Sequence, residues 1–179
     1  KNATNKSFTM SSWFYVEDEP PYSSDIDNNR CEYSIFMRPG YHTGLSYTHG
    51  GFLKAVIWNR RSGTSERIPT TIQVPLKTKK WYHVGMVVDD KKQVLYLYVD
   101  GKQAGKQRYE GELIQYLNKP YYIGVGDTNS SSWRNFFKGQ ISEVGLWSDV
   151  LENYEIDLIY KKGISDKGEF SISKKPIGF

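Results

Sequence analysis

Three short stretches of this chain set an aromatic ring beside hydrogen-bonding and cationic side chains. Asp127-Thr128-Asn129-Ser130-Ser131-Ser132-Trp133-Arg134-Asn135 places an indole among acceptors and donors. Arg38-Pro39-Gly40-Tyr41-His42 and Trp58-Asn59-Arg60-Arg61 repeat the mixture in shorter form. An aromatic plate can cover the apolar C–H face of a sugar ring, while Asp, Asn, Arg and backbone groups meet its rim of hydroxyls. Arginine adds a planar fork that matches a carboxylate or sulfate, as an acidic sugar would carry. The candidate ligand contacts are therefore Trp133, Asp127, Asn129, Arg134, Tyr41, His42, Trp58 and Arg60. The competing reading is packing: Trp133 would fold back over the end of the domain, and Tyr41 and Trp58 would be structural.

Other chemistries find less to work with. Asp25-Ile26-Asp27-Asn28-Asn29 is the richest oxygen cluster. Asp25, Asp27 and Asn29 start like a Ca2+ loop but lack the later Gly and bidentate Glu of an EF-hand. The alternative there is a plain solvated turn. The three histidines, His42, His49 and His83, form no Cys–His or Ser–His–Asp pattern that sequence can support. His83 reads as a packed residue rather than a catalyst, and the chain is expected not to be an enzyme. A net charge of +4 is too mild to argue for nucleic acid. Its distribution is uneven, with acids concentrated from Glu17 to Glu32 and bases from Lys54 to Lys80. The basic segment could serve an anionic partner, or both could be ordinary solvated loops.

The elements that must position these residues are mostly strands. Phe8 to Val16 alternates, with Phe8, Met10, Ser12, Phe14 and Val16 on one face and Thr9, Ser11, Trp13 and Tyr15 on the other. Residues 17–30 are acidic, contain Pro20-Pro21, and form a loop. Glu32 to Arg38 follows as a strand with Tyr33, Ile35 and Met37 alternating. Gly44 to Tyr47 and Phe52 to Asn59 flank the Gly50-Gly51 turn, and Thr70 to Val74 precedes Pro75. In the next strand Tyr82, Val84, Met86 and Val88 oppose Trp81, His83, Gly85 and Val87. Val94 to Val99 is apolar or aromatic throughout, as a strand covered on both faces requires. Asp100-Gly101 supplies the positive-φ pair of a two-residue hairpin into Lys102 to Arg108. Tyr121 to Val125 and Gln140 to Trp147 complete the strands. A helix begins near Leu151, with Leu151, Tyr154, Leu158 and Ile159 near one stripe and Ile156 to its side, and ends at Gly163. Phe170-Ser171-Ile172 is a further edge-strand candidate. With 14 Tyr, 8 Phe and 5 Trp, the aromatic excess suits strands.

On these residues the chain resembles the laminin-G-like domains of the concanavalin A-like lectin/glucanase superfamily. Phe8-Thr9-Met10-Ser11-Ser12-Trp13-Phe14 is similar to that family's first strand. Trp81-Tyr82-His83-Val84 resembles its W-x-H-V strand, and Tyr98-Val99-Asp100-Gly101 its Y-V-D-G hairpin. Gly139 to Trp147, with Leu151, Glu155-Ile156 and Tyr160, resembles its closing strand and helix. The resemblance implies an all-β fold, a two-sheet antiparallel jelly-roll β-sandwich with one short C-terminal helix. Many relatives hold a structural calcium with an Asp just before the Glu of the closing strand. Here Ser142 precedes Glu143, and a neutral hydroxyl is a poor ligand for a hard cation. Glycosidases of the superfamily place paired carboxylates along one strand as E-x-D-x-x-E, an array this chain lacks.

The 179 residues fit a single domain, 1–179, with its core at 8–163. Cys31 is the sole cysteine, so no intrachain disulfide forms. No apolar run has the length of a membrane span, so no membrane insertion is expected. The chain opens at Lys1 without a Met, as expected of a domain cut from a longer chain. Together these features point to a non-catalytic, lectin-like module that binds a glycan or glycoconjugate through loops at the end of a β-sandwich. It would sit in an extracellular, cell-surface or virion protein beside other domains of the parent. The alternative is an adhesion or interaction domain for a protein receptor or a sulfated polymer.

Overall fold

Alternating side chains sort the strands into two layers. In the computed structural model, residues 6–22, 32–38, 43–114, 120–127 and 133–164 are described, with backbone alone at 127, 133 and 134. The elements run β1 (Phe8–Val16), β2 (Glu32–Arg38), β3 (Thr43–Thr48), β4 (Phe52–Arg60), β5 (Arg67–Pro75), β6 (Trp81–Asp89) and β7 (Val94–Val99). They continue as β8 (Lys102–Arg108), β9 (Glu112–Leu113), β10 (Tyr122–Ile123), β11 (Gly126–Asp127), β12 (Trp133–Arg134), β13 (Gly139–Trp147) and α1 (Asn153–Lys162). One sheet has the order β13-β1-β6-β7-β8. The other has the order β10-β2-β3-β4-β5, with β9 paired to β4. All pairings are antiparallel, and the two sheets form a sandwich of the jelly-roll type.

The core lies between the sheets. Met10 and Phe14 of β1, Val84 and Met86 of β6, and Leu95 and Leu97 of β7 face Ile35, Leu45, Tyr47, Leu53 and Ile57 of the other layer. Each such side chain contributes about 1.5–3 kcal/mol when removed from water. A second cluster, Val87, Tyr98, Trp147, Leu151, Ile156 and Ile159, fills the opposite face of the first sheet under α1. That double cover explains why β7 is apolar at nearly every position. Thr9 joins helix to sheet: its hydroxyl donates to the Asp149 carbonyl at 2.8 Å and accepts from the Leu151 amide at 3.0 Å.

The Asp100-Gly101 hairpin forms as expected, with φ of 48° and 77°. Three expectations need correction. The Ile35 bulge between Ser34 and Phe36 shifts the register of β2, so Phe36 joins Ile35 in the core. Met37 then pairs with Gly44 on the outer face instead of continuing the Tyr33–Ile35 row. Tyr121 to Val125 is not one strand: pairing with β2 ends at Ile123, and Gly124 (φ 73°) turns the chain into β11. On α1 the buried face is Glu155, Ile156 and Ile159, while Tyr154 is exposed. A capping box between Glu152 and Glu155 closes the first turn. The Phe170–Ile172 candidate lies outside the described residues.

Candidate functional site

The two ends of the segment from Asp127 to Asn135 are strands rather than loop. β11 and β12 pair as a small antiparallel hairpin, with Asp127 opposite Trp133 and Gly126 opposite Arg134. Its base is fixed to the six-stranded sheet by backbone hydrogen bonds. The Ser34 amide donates to the Asn135 carbonyl at 2.9 Å, and the Gly124 amide to the Ile35 carbonyl at 3.0 Å. The Phe137 amide donates to the Gly124 carbonyl at 2.8 Å. Phe137 then anchors the return strand by edge contacts with Phe14 and Tyr33.

Beneath the hairpin base lies a buried polar network on the outer face of the six-stranded sheet. Register places Ser34, Ser46 and Lys54 in one row across β2, β3 and β4, with Glu32 one step along. The Glu32 carboxylate is 4% exposed. It accepts from Lys54 Nζ, from Ser46 Oγ at 3.1 Å and from Asn135 Nδ2 at 3.4 Å. A buried carboxylate is tolerable only when paired and hydrogen-bonded in this way. Among the described residues, Ser34 Oγ and Asn135 Oδ1 are buried without a hydrogen-bond partner. The next row, Met37, Gly44 and Val56, is apolar. At the margin the Arg38 guanidinium lies 4.8 Å from the centroid of the Tyr121 ring and donates to its hydroxyl at 3.1 Å.

The structure brings Asp127, Trp133 and Arg134 together in one hairpin. Trp58 and Arg60 lie elsewhere on the sheet, on β4, two strands from β2. Trp58 is four residues beyond Lys54, or about 13 Å along the strand. It is half-buried, and the exposed Arg60 guanidinium lies 3.9 Å from Glu112. Asn129, Tyr41, His42 and the metal candidates Asp25, Asp27 and Asn29 lie outside the described residues. Among the described residues no three His, Cys, Asp or Glu side chains gather as metal ligands. Glu143, at the position discussed for calcium, accepts the Ile164 amide at 3.2 Å and so holds the chain just after α1. Sequence reasoning missed Glu32, Ser34, Ser46, Lys54 and Asn135 as positioning residues. Their only signal was polar alternation on strands whose other face is apolar, which any solvated sheet face shows.

His83 is a packed residue. It is fully buried, with Nε2 2.8 Å from Ser11 Oγ and its ring against both Trp13 and Tyr160, which also stack on each other. Nδ1 has no partner among the described residues, so no acid orients the ring. Burial lowers its pKa to about 4.

With that geometry in view, comparison with known proteins is informative. A family profile described as concanavalin A-like lectin/glucanases superfamily, laminin-G type, matches residues 1–157. The chain belongs to this superfamily. A search of curated proteins found no significant match. Solved structures similar to this member include the CBM40 of Ruminococcus gnavus IT-sialidase bound to alpha2,3 sialyllactose. It is 14% identical with a TM-score of 0.67, and the match covers 87% of this chain and 83% of that one. A Bacteroides ovatus ATCC 8483 protein, described as a proposed carbohydrate binder, is 19% identical with a TM-score of 0.63, over 88% and 42% of the two chains. The receptor binding domain of botulinum neurotoxin type G is 14% identical with a TM-score of 0.56, over 87% and 38%. This laminin-G-type chain thus spans less than half of the last two and most of the first. At these identities the likeness is one of fold.

Proposed function

We propose that this chain is a non-catalytic carbohydrate-binding module that engages a glycan at the β11–β12 hairpin. One observation carries the reading. The Ser34–Asn135 hydrogen bond and the Glu32–Asn135 contact fix the base of the hairpin on which Asp127 and Trp133 are paired. A binding segment held this way loses little entropy when a ligand arrives. Trp133 acts as the stacking plate, and Asp127, Asn129 and Arg134 as polar contacts. Tyr41 and His42 are further candidate contacts. Membership of a superfamily rich in sugar-binding domains supports this, as does the likeness to a module bound to sialyllactose. Calcium at Asp25, Asp27 and Asn29, and a setting on an extracellular or surface protein, belong to the same proposal. Among the described residues no helix is long and apolar enough to cross a membrane.

The test is a glycan array on the purified chain, run with calcium and again with chelator. Selective hits that vanish in Trp133→Ala, with the variant's circular dichroism unchanged, are expected. A chelator-sensitive signal assigns calcium to the Asp25–Asn29 segment. Unchanged glycan binding by folded Trp133→Ala would falsify the hairpin site, and a blank array in both conditions would remove the carbohydrate reading.

A further inference from the structure

The two sheets leave an opening at the edge formed by β5 and β8. Each of these strands pairs on one side only, β5 with β4 and β8 with β7. They touch where Gly105 lies against Ile72, so closely that a Cβ on Gly105 would sit 2.4 Å from Ile72 Cγ2. Beyond that pinch they part, and a cleft of about 680 Å³ opens between them. A second hollow of about 420 Å³ shares Arg61 with it and adds Arg60 and Glu112. The larger volume falls in the range of small-molecule sites, roughly 300–1,000 Å³.

The lining is mostly polar and carries two guanidinium groups. Its floor is the Asn59 amide, 3% exposed. That amide is fixed by accepting from Thr70 Oγ1 at 3.0 Å and donating to the Glu110 carbonyl at 2.6 Å. Each end of the amide keeps one further hydrogen-bonding position. The exposed Thr71 and Gln107 add a hydroxyl and an amide, and Ile68 and Pro69 supply a small apolar wall. Arg61 and Arg108 stand on the two sides. Arg108 is exposed and has no ion-pair partner among the described residues. Arg61 is paired to Glu66 at 2.9 Å, but both are more than half exposed, and such a pair exchanges readily for another anion. No exposed aromatic ring lines the cleft, since Tyr109 is 4% exposed, so there is no platform for a nucleobase. Glu110 in the lining and Glu66 beside it oppose a dense polyanion.

We propose that this cleft is a second binding site, for a carboxylated saccharide segment held by the Asn59, Thr71 and Gln107 side chains and flanked by Arg61 and Arg108. It lies on the edge of the sandwich, apart from the hairpin, and stands whether or not the hairpin binds a sugar. Amide shifts in 15N NMR spectra of the full chain test it, with three probes: a hyaluronan tetrasaccharide, neutral cellotetraose and a heparin tetrasaccharide. The hyaluronan probe is expected to move Arg61, Thr71, Gln107 and Arg108, and cellotetraose to bind about tenfold more weakly for want of the charge-assisted contact. Arg108→Gln, an exposed substitution checked by circular dichroism, should weaken the hyaluronan probe about tenfold. Trp133→Ala should leave it unchanged, which separates this site from the hairpin. No shift at these residues, equal binding of the neutral probe, or tighter binding of heparin as a plain polyanion each overturns the assignment.

Discussion

Acid should loosen this domain through one residue, His83. Its imidazole is buried beside Trp13 and Tyr160 at ring distances of 5.5 and 6.0 Å, with Ser11 Oγ as its side-chain hydrogen-bond partner. The Asp100 carboxylate is tied to the backbone of His83. Its Oδ1 accepts the His83 main-chain amide at 3.0 Å, and its Oδ2 lies 4.0 Å from Lys80 Nζ. Asp157 of α1 approaches the same turn at Gly101. These carboxylates would favour a charged ring, but desolvation wins and lowers the pKa from 6.5 to about 4. In the unfolded chain the ring keeps its ordinary value and takes a proton first. The folded state therefore holds its full advantage above pH 6.5 and loses it as pH falls toward 4. The complete loss corresponds to about 3.5 kcal/mol, at about 1.4 kcal/mol per pH unit. Between pH 7 and pH 5, about 2 kcal/mol of it should disappear.

Urea unfolding of the wild type and of His83→Gln at pH 7, 6 and 5 measures this directly. The other two histidines are present in both proteins, so the difference in slope isolates His83. The wild type should lose about 2 kcal/mol more than the variant over this range. Equal slopes would refute the reasoning, as would an NMR titration that finds the ring of His83 protonating near pH 6.5.

Two further substitutions probe the frame that holds the sites. Glu32→Ala removes the partner of Lys54, Ser46 and Asn135 together and should destabilise by about 3 kcal/mol, with Glu32→Gln costing clearly less because the amide oxygen still accepts; denaturant midpoints decide. Gly105→Ala pushes a methyl into Ile72, and a loss of about 1–3 kcal/mol is expected in thermal unfolding. A double variant with Ile72→Ala should be less than additive, because the clashing methyl is gone, whereas strict additivity would show that the two strands do not press on each other there.

Much of the sandwich was legible along the chain. Phe8 to Val16, Tyr82 to Val88 and the doubly apolar Val94 to Val99 alternate as their burial demands, and Asp100-Gly101 marks its own hairpin. These signals are local: a period of two and a positive-φ turn are set by a residue and its near neighbours. The Ile35 bulge was not legible, because a register shift depends on the partner strand. Nor was the stop at Ile123, because nothing local to the segment shows that Gly124 takes a φ of 73° and turns the chain away from β2.

Sequence alone determined the two-layer β architecture, the closing helix with its Gly163 stop, and the choice of the Trp133 segment as a candidate contact surface. Tertiary structure decided what supports that segment. Glu32, Ser46, Lys54 and Asn135 converge only because antiparallel register sets distant positions side by side, and a buried carboxylate then requires the donors it finds there. The β5–β8 cleft has the same origin. Its Asn59 floor and its Arg61 and Arg108 sides lie far apart in the chain and meet because two edge strands, one from each sheet, part beyond the contact of Gly105 with Ile72.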